Sequence, residues 1–145
     1  MNPQEIGKAI YISHEVVSGI LRQAPLSGKH LLEPLKSFAV EHDLPLKVLE
    51  VHESEYEAEI HKTVQDLWYC LEGEARFLIG GSLVDPWQQK NPDGSENSNE
   101  LRANSIRGGG EAVLLPGDWL WIPAGEAHQH KTKGTARLVI IRLKA

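Results

Sequence analysis

The chain has 145 residues, enough for one domain that buries a full core without disulfide staples. A formal charge of −5 with no offsetting basic cluster gives no electrostatic footprint for nucleic acid. The single cysteine, Cys70, excludes an internal disulfide framework. No apolar run approaches membrane length and residues 1–5 lack a charged-then-apolar export signal, so a cytoplasmic protein without a membrane partner is expected.

In chain order, residues 3–42 carry helical periodicity. Ile6, Ile10, Val16, Val17, Ile20 and Leu21 fall roughly on one face, and Leu31, Leu32, Leu35, Phe38 and Ala39 repeat the pattern. Pro25 and Gly28 separate the two segments, Ser27 can cap the second, and Pro34 fits its first turn. Residues 38–40 could equally open the first strand. Residues 1–44 are therefore expected to form a helical N-terminal extension, ended by Pro45.

The remainder, residues 45–145, reads as an all-β body. Thirteen glycines and eight prolines set many turns between short apolar runs. Strands are expected at 47–52, 57–61 and 66–71, with Glu72-Gly73-Glu74 turning into a return strand at 75–79. Residues 88–104, with Asn-Pro-Asp-Gly-Ser-Glu-Asn-Ser-Asn in their middle, have almost nothing to bury and are expected to be a mobile loop insertion anchored at its base by Trp87. Three glycines at 108–110 end it. Strands at 111–115, 118–122 and 136–143 close the body.

The run from Gly117 to His128 holds a short strand, a Pro-x-Gly turn at Pro123 and Gly125, and a histidine just past it. A rigid turn of this kind presents an imidazole as a metal ligand requires. Upstream stand Glu59-Ile60-His61 and then Asp66, seven residues before Gly73. These two segments resemble the two sequence motifs of the cupin superfamily, and the chain is similar to small single-domain bacterial cupins. Gly117, Pro123, Gly125 and His128 fit every position of the second motif up to its His, with Thr132 where an Asn is usual. In the first motif Asp66 takes the acidic position and His61 the second His, while Glu59 replaces the first.

The resemblance covers residues 46–143 and implies a double-stranded β-helix, or jelly-roll barrel. It also implies one divalent metal held by His61, Asp66 and His128, with Glu59 as a fourth donor. Nitrogen and carboxylate oxygen suit Fe, Mn, Zn or Ni. Glu59 or His130 could move a proton. Alternation puts Asp66, Trp68 and Cys70 on the inner face and Leu67, Tyr69 and Leu71 on the outer. That apolar outer face needs a cover, either the N-terminal helices or a second subunit, and a homodimer is expected. Trp68 and Trp121 are candidate pocket walls, and Arg107 is better placed than Arg76 to meet a substrate carboxylate. Residues 9–21 faintly resemble a DNA-reading helical unit, but they lack its scaffold and its basic residues and are read as a helical cap or dimer arm.

Two functional readings remain. The first is metal-dependent chemistry on a small oxygenated or carboxylated organic molecule, by an oxidoreductase such as a dioxygenase, an isomerase or a lyase. The second is a non-catalytic, small-molecule-binding or sensing protein that has lost its metal. A purely structural role would leave the inward polar set without a purpose.

Overall fold

The computed structural model describes residues 1–145. The chain begins with a small hairpin, β1 (Gln4–Ile6) and β2 (Ala9–Tyr11), then helix α1 (His14–Leu21), strand β3 (Gly28–Leu31) and helix α2 (Leu35–Glu41). The body follows as β4 (Leu46–Glu55), β5 (Ala58–His61), β6 (Val64–Glu72) and β7 (Ala75–Ile79). Next come β8 (Ser82–Leu83), β9 (Trp87–Lys90), β10 (Glu96–Ala103) and β11 (Ile106–Arg107). Finally β12 (Gly110–Leu114), β13 (Trp119–Ile122) and β14 (His128–Lys144) close the structure.

β14 organises the antiparallel sheet. Its first residues pair with β5 and β7, and its later residues lie between β4 and β6. The β4 register shifts between Thr132 and Thr135, around Gly134, where the long strand passes from one half of the barrel to the other. Leu49, Val51, Trp68, Cys70, Phe77, Ile122 and Leu138 fill the interior. A second cluster lies outside the sheet, where Val16, Ile20 and Leu35 of the helices cover Val48, Leu71 and Val139. Ser13 caps α1 by accepting a hydrogen bond from the Val16 amide at 3.3 Å. The buried Arg137 guanidinium fixes the end of that helix. It donates to Glu50 at 2.7 and 3.0 Å and to the carbonyl oxygens of Leu21 and Gln23 at 2.7 and 2.5 Å.

Residues 1–44 are only partly helical, against the expectation. Ile6 and Ile10 belong to the β1–β2 hairpin, turned at Gly7 with φ +62°. Residues 28–31 form β3, which pairs with β4 from Gly28 opposite His52 to Leu31 opposite Leu49. Leu31 thus packs on the barrel interior while Leu32 backs the helices, a split that a single helical face cannot make. Pro34 stands at the N-cap of α2, so Ser27 caps nothing there.

The polar stretch 88–104 is also different. It forms the β9–β10 hairpin, with β10 paired to β5 from Glu100 opposite His61 to Ala103 opposite Ala58. Its backbone polar groups are satisfied by the ladder, so a strand forms without an apolar anchor. The turn is held by Asp93, whose carboxylate accepts from the Ser95 amide at 2.9 Å, and by Gly94 at φ +87°. No helix is long and apolar enough to cross a membrane.

Candidate metal centre

Three strands deliver side chains to one end of the barrel. On β5, Glu59 and His61 alternate onto the same inner face, and Asp66, Trp68 and Cys70 do so on β6. His128 opens β14 directly opposite Glu59, and the Gly125 amide of the preceding turn donates to the His61 carbonyl at 2.8 Å. The turn of the second motif is thereby bonded to the end of the first.

Glu59, His61, Asp66 and His128 are all buried. His61 Nε2 lies 2.9 Å from Glu59 Oε2 and 3.3 Å from Asp66 Oδ2. His128 Nε2 lies 3.9 and 4.0 Å from the same two oxygens. One donor atom each from Glu59, His61 and His128 falls within 4.8 Å of the others. Asp66 lies outside that group of three but approaches both imidazoles. The structure therefore brings all four expected donors together.

The outer atom of every donor is tied back. His61 Nδ1 donates to Glu100 Oε2 at 2.5 Å, and His128 Nδ1 donates to the Glu126 carbonyl at 3.1 Å. Arg102 pairs with Glu59 Oε1 at 2.6 Å, and Arg142 donates to Asp66 Oδ1 at 2.9 Å. These bonds leave Nε2 of each ring and one oxygen of each carboxylate facing the common centre. Imidazoles anchored through Nδ1 by a carboxylate or a carbonyl are the arrangement that orients a metal-binding histidine. Two nitrogens and two anionic oxygens fit a divalent Fe, Mn, Zn or Ni ion.

The electrostatics without an ion are distinctive. Burial opposes a proton on His61, but bonds from Asp66, Glu59 and Glu100 outweigh it and push its pKa up to about 10. Burial would raise the pKa of Glu59, yet the His61 bond and Arg102 hold it well below the usual carboxylate range. Asp66 is lowered against its own burial by His61 and Arg142. Burial lowers His128 below the usual histidine value. The carboxylates are charged at neutral pH and the His61 proton sits between them, the place where a cation would exchange with it.

Beside this cluster opens a cavity of about 600 Å³, walled by Lys29, Leu49, Tyr56, Trp68 and Ile140 together with His130. A larger depression of about 780 Å³, around residues 53–55, 73–76 and 131–135, contains no apolar side chain and none of the four donors. His130 is buried against Trp68, Phe77 and Tyr56, at ring centroid distances of 5.6, 5.4 and 5.5 Å, and its Nε2 has no partner. Burial pushes its pKa down to about 3. Thr132, standing for the usual Asn, is buried with an unpartnered hydroxyl.

Two expected pocket residues lie elsewhere. Trp121 pairs opposite Leu67, so it shares the outer face; it is 59% exposed and donates to Gln65 Oε1 at 2.8 Å. Arg107 is exposed on β11, which pairs with β8, and does not line the cavity. Sequence reasoning missed Glu100, Arg102, Arg142 and Lys29. Glu100 and Arg102 share a strand face, a period-two signal inside a stretch read as loop. Arg142 stands among apolar residues of a closing strand, which signals a need for a carboxylate partner.

No protein-family model and no curated protein matches the sequence. Among solved structures the chain is similar to the Clostridium difficile EutQ protein, at 15% identity and TM-score 0.56, over 97% of this chain and 91% of that one. It is similar to an oxalate oxidase at 18% identity and TM-score 0.51, over 86% of this chain and 57% of the other. The third is the Escherichia coli ribosomal oxygenase YcfD, in complex with cobalt and 2-oxoglutarate, at 18% identity and TM-score 0.50, over 78% and 28%. The chain thus spans nearly all of EutQ but less than two thirds of the other two. Identities this low establish the fold alone: an all-β, double-stranded β-helix of the cupin type.

Proposed function

We propose that the chain is a metal-dependent cupin in which Glu59, His61 and His128, with Asp66 beside them, hold one divalent ion and act on a small oxygenated or carboxylated organic molecule. The single observation that carries this reading is the inward convergence of four buried donor atoms whose outer atoms are all tied back. Bound there, such an ion would polarise an oxygen of the ligand. Trp68 and Ile140 would exclude water from one side of that ligand. Of the two candidate proton carriers, Glu59 is committed to the ion through Oε2 and to Arg102 through Oε1, whereas His130 lines the cavity with its Nε2 unpartnered. An oxidoreductase, an isomerase and a lyase all fit this arrangement, and the oxalate oxidase and ribosomal oxygenase likenesses favour the first only as analogy.

One observation favours the non-catalytic alternative. His61 Nε2 already lies 2.9 and 3.3 Å from the Glu59 and Asp66 carboxylates, so a protonated imidazole pairs with both without an ion. Elemental analysis of wild type beside His128→Ala separates the two. Stoichiometric metal that is lost in the variant supports the first reading; no metal in either, after exposure to Mn, Fe and Zn, supports the second.

This reading includes a cytoplasmic homodimer. Leu71 is covered by the helical cluster, but Leu67 and Tyr69 lie beside the exposed Trp119 and Trp121 on the outer face of β6 and β13. A two-fold contact would cover this face with a copy of itself.

A further inference from the structure

Resting on the reading of the donor cluster as the functional centre, we infer that the adjoining cavity takes a small monocarboxylate with an apolar body, anchored through its carboxylate by Lys29. Lys29 comes from β3, outside both sequence motifs. Its ammonium lies 3.8 Å from the centroid of the Tyr56 ring and takes part in none of the protein's ion pairs. The cavity is lined by four basic residues, Lys29, Lys47, Arg142 and Lys144, and by two acidic ones, Asp43 and Glu59. Arg142 is already spent on Asp66, and Glu59 on Arg102. That leaves three ammonium groups facing one carboxylate, in a chain whose overall charge is −5.

Of the three, Lys144 is exposed, whereas Lys29 is half-buried over the Tyr56 ring; burial lowers its pKa, and nearby Glu59 opposes that only in part. A half-buried ammonium held only by an aromatic face gains most from an incoming anion, since a charge-assisted hydrogen bond then replaces lost hydration. The remaining wall is apolar, with Leu31, Leu49, Trp68 and Ile140 on it. Those side chains suit a hydrocarbon body, and the nearby carboxylates Glu59 and Asp66 disfavour a second anionic group. Trp68 Nε1 and His130 Nε2, both buried and unpartnered, belong to the same wall.

The test is calorimetric titration of the intact protein with benzoate and hexanoate, and with benzamide and hexanamide as neutral counterparts. Wild type should bind each carboxylate at least about tenfold more tightly than its amide, as expected for a hydrogen bond to a charged group. Lys29→Met should abolish that preference and Lys29→Arg should keep most of it, with metal content and circular dichroism unchanged in both. Should Lys29→Met fold poorly, Lys29→Gln supplies the same comparison. Equal binding of acid and amide, undiminished carboxylate binding by Lys29→Met, or no carboxylate binding at millimolar concentration would overturn the inference. A wild type without metal that still shows the Lys29-dependent preference would refute the metal reading and leave this one standing.

Discussion

Glu100→Gln removes the charge that orients His61 while leaving the ligands themselves in place. The Glu100 carboxylate accepts the His61 Nδ1 proton at 2.5 Å and its side chain is 21% exposed. A hydrogen bond to a charged group contributes roughly 1.5–3 kcal/mol, and partial exposure lets water replace some of it. About 1.5 kcal/mol remains, or roughly tenfold in metal affinity, the low end of what the loss of a ligand-orienting partner costs. Because β10 is held to β5 by its backbone ladder, the hairpin should survive the substitution. Competition for Mn(II) and Zn(II) against a chelator of known affinity reads the effect directly. An affinity within about twofold of wild type, in a preparation where His128→Ala has lost the metal, would refute the orienting role.

Arg137→Met should lower stability by about 3 kcal/mol, because it leaves the buried Glu50 carboxylate without its partner and frees the end of α1; an unfolding free energy in urea lowered by less than about 1 kcal/mol contradicts this. Below about pH 6.5, where the raised His61 pKa already contributes in full, the metal-free protein should lose stability as pH falls. His130 has a folded pKa pushed below the unfolded value, so its contribution is complete above about pH 6.5 and is lost towards pH 3. His130→Phe should remove about 2 kcal/mol of that loss at pH 5, and identical acid limbs in the two urea series would exclude it. If the proposed two-fold contact forms, Trp119→Glu should abolish it in light scattering, whereas a wild type that is monomeric at all micromolar concentrations rules the interface out.

The donors were legible because each lies in a contiguous motif whose spacing encodes a turn or an alternation. Gly117, Pro123, Gly125 and His128 sit within one strand-turn unit, and Glu59 with His61, like Asp66 with Trp68, share a face by period two. What could not be read was long-range register. Trp121 faces outward because it stands opposite Leu67, and nothing within residues 117–128 fixes that parity. Glu100 and Arg102 were hidden because composition argued for a loop, while the pairing that makes them a strand comes from β5, some forty residues earlier. Lys29 was hidden for the opposite reason: leucines at 31, 32 and 35 imitate a helical face, and only pairing with β4 turns Lys29 towards the cavity.

X-ray absorption on the protein loaded with one equivalent of Mn(II) or Zn(II) tests the assignment of the centre most directly. It should show an ion ligated by two imidazole nitrogens and by carboxylate oxygen, and His128→Ala loaded in the same way should retain no such ion. A shell of oxygen alone, or a spectrum unchanged by His128→Ala, would contradict a centre built on Glu59, His61, Asp66 and His128.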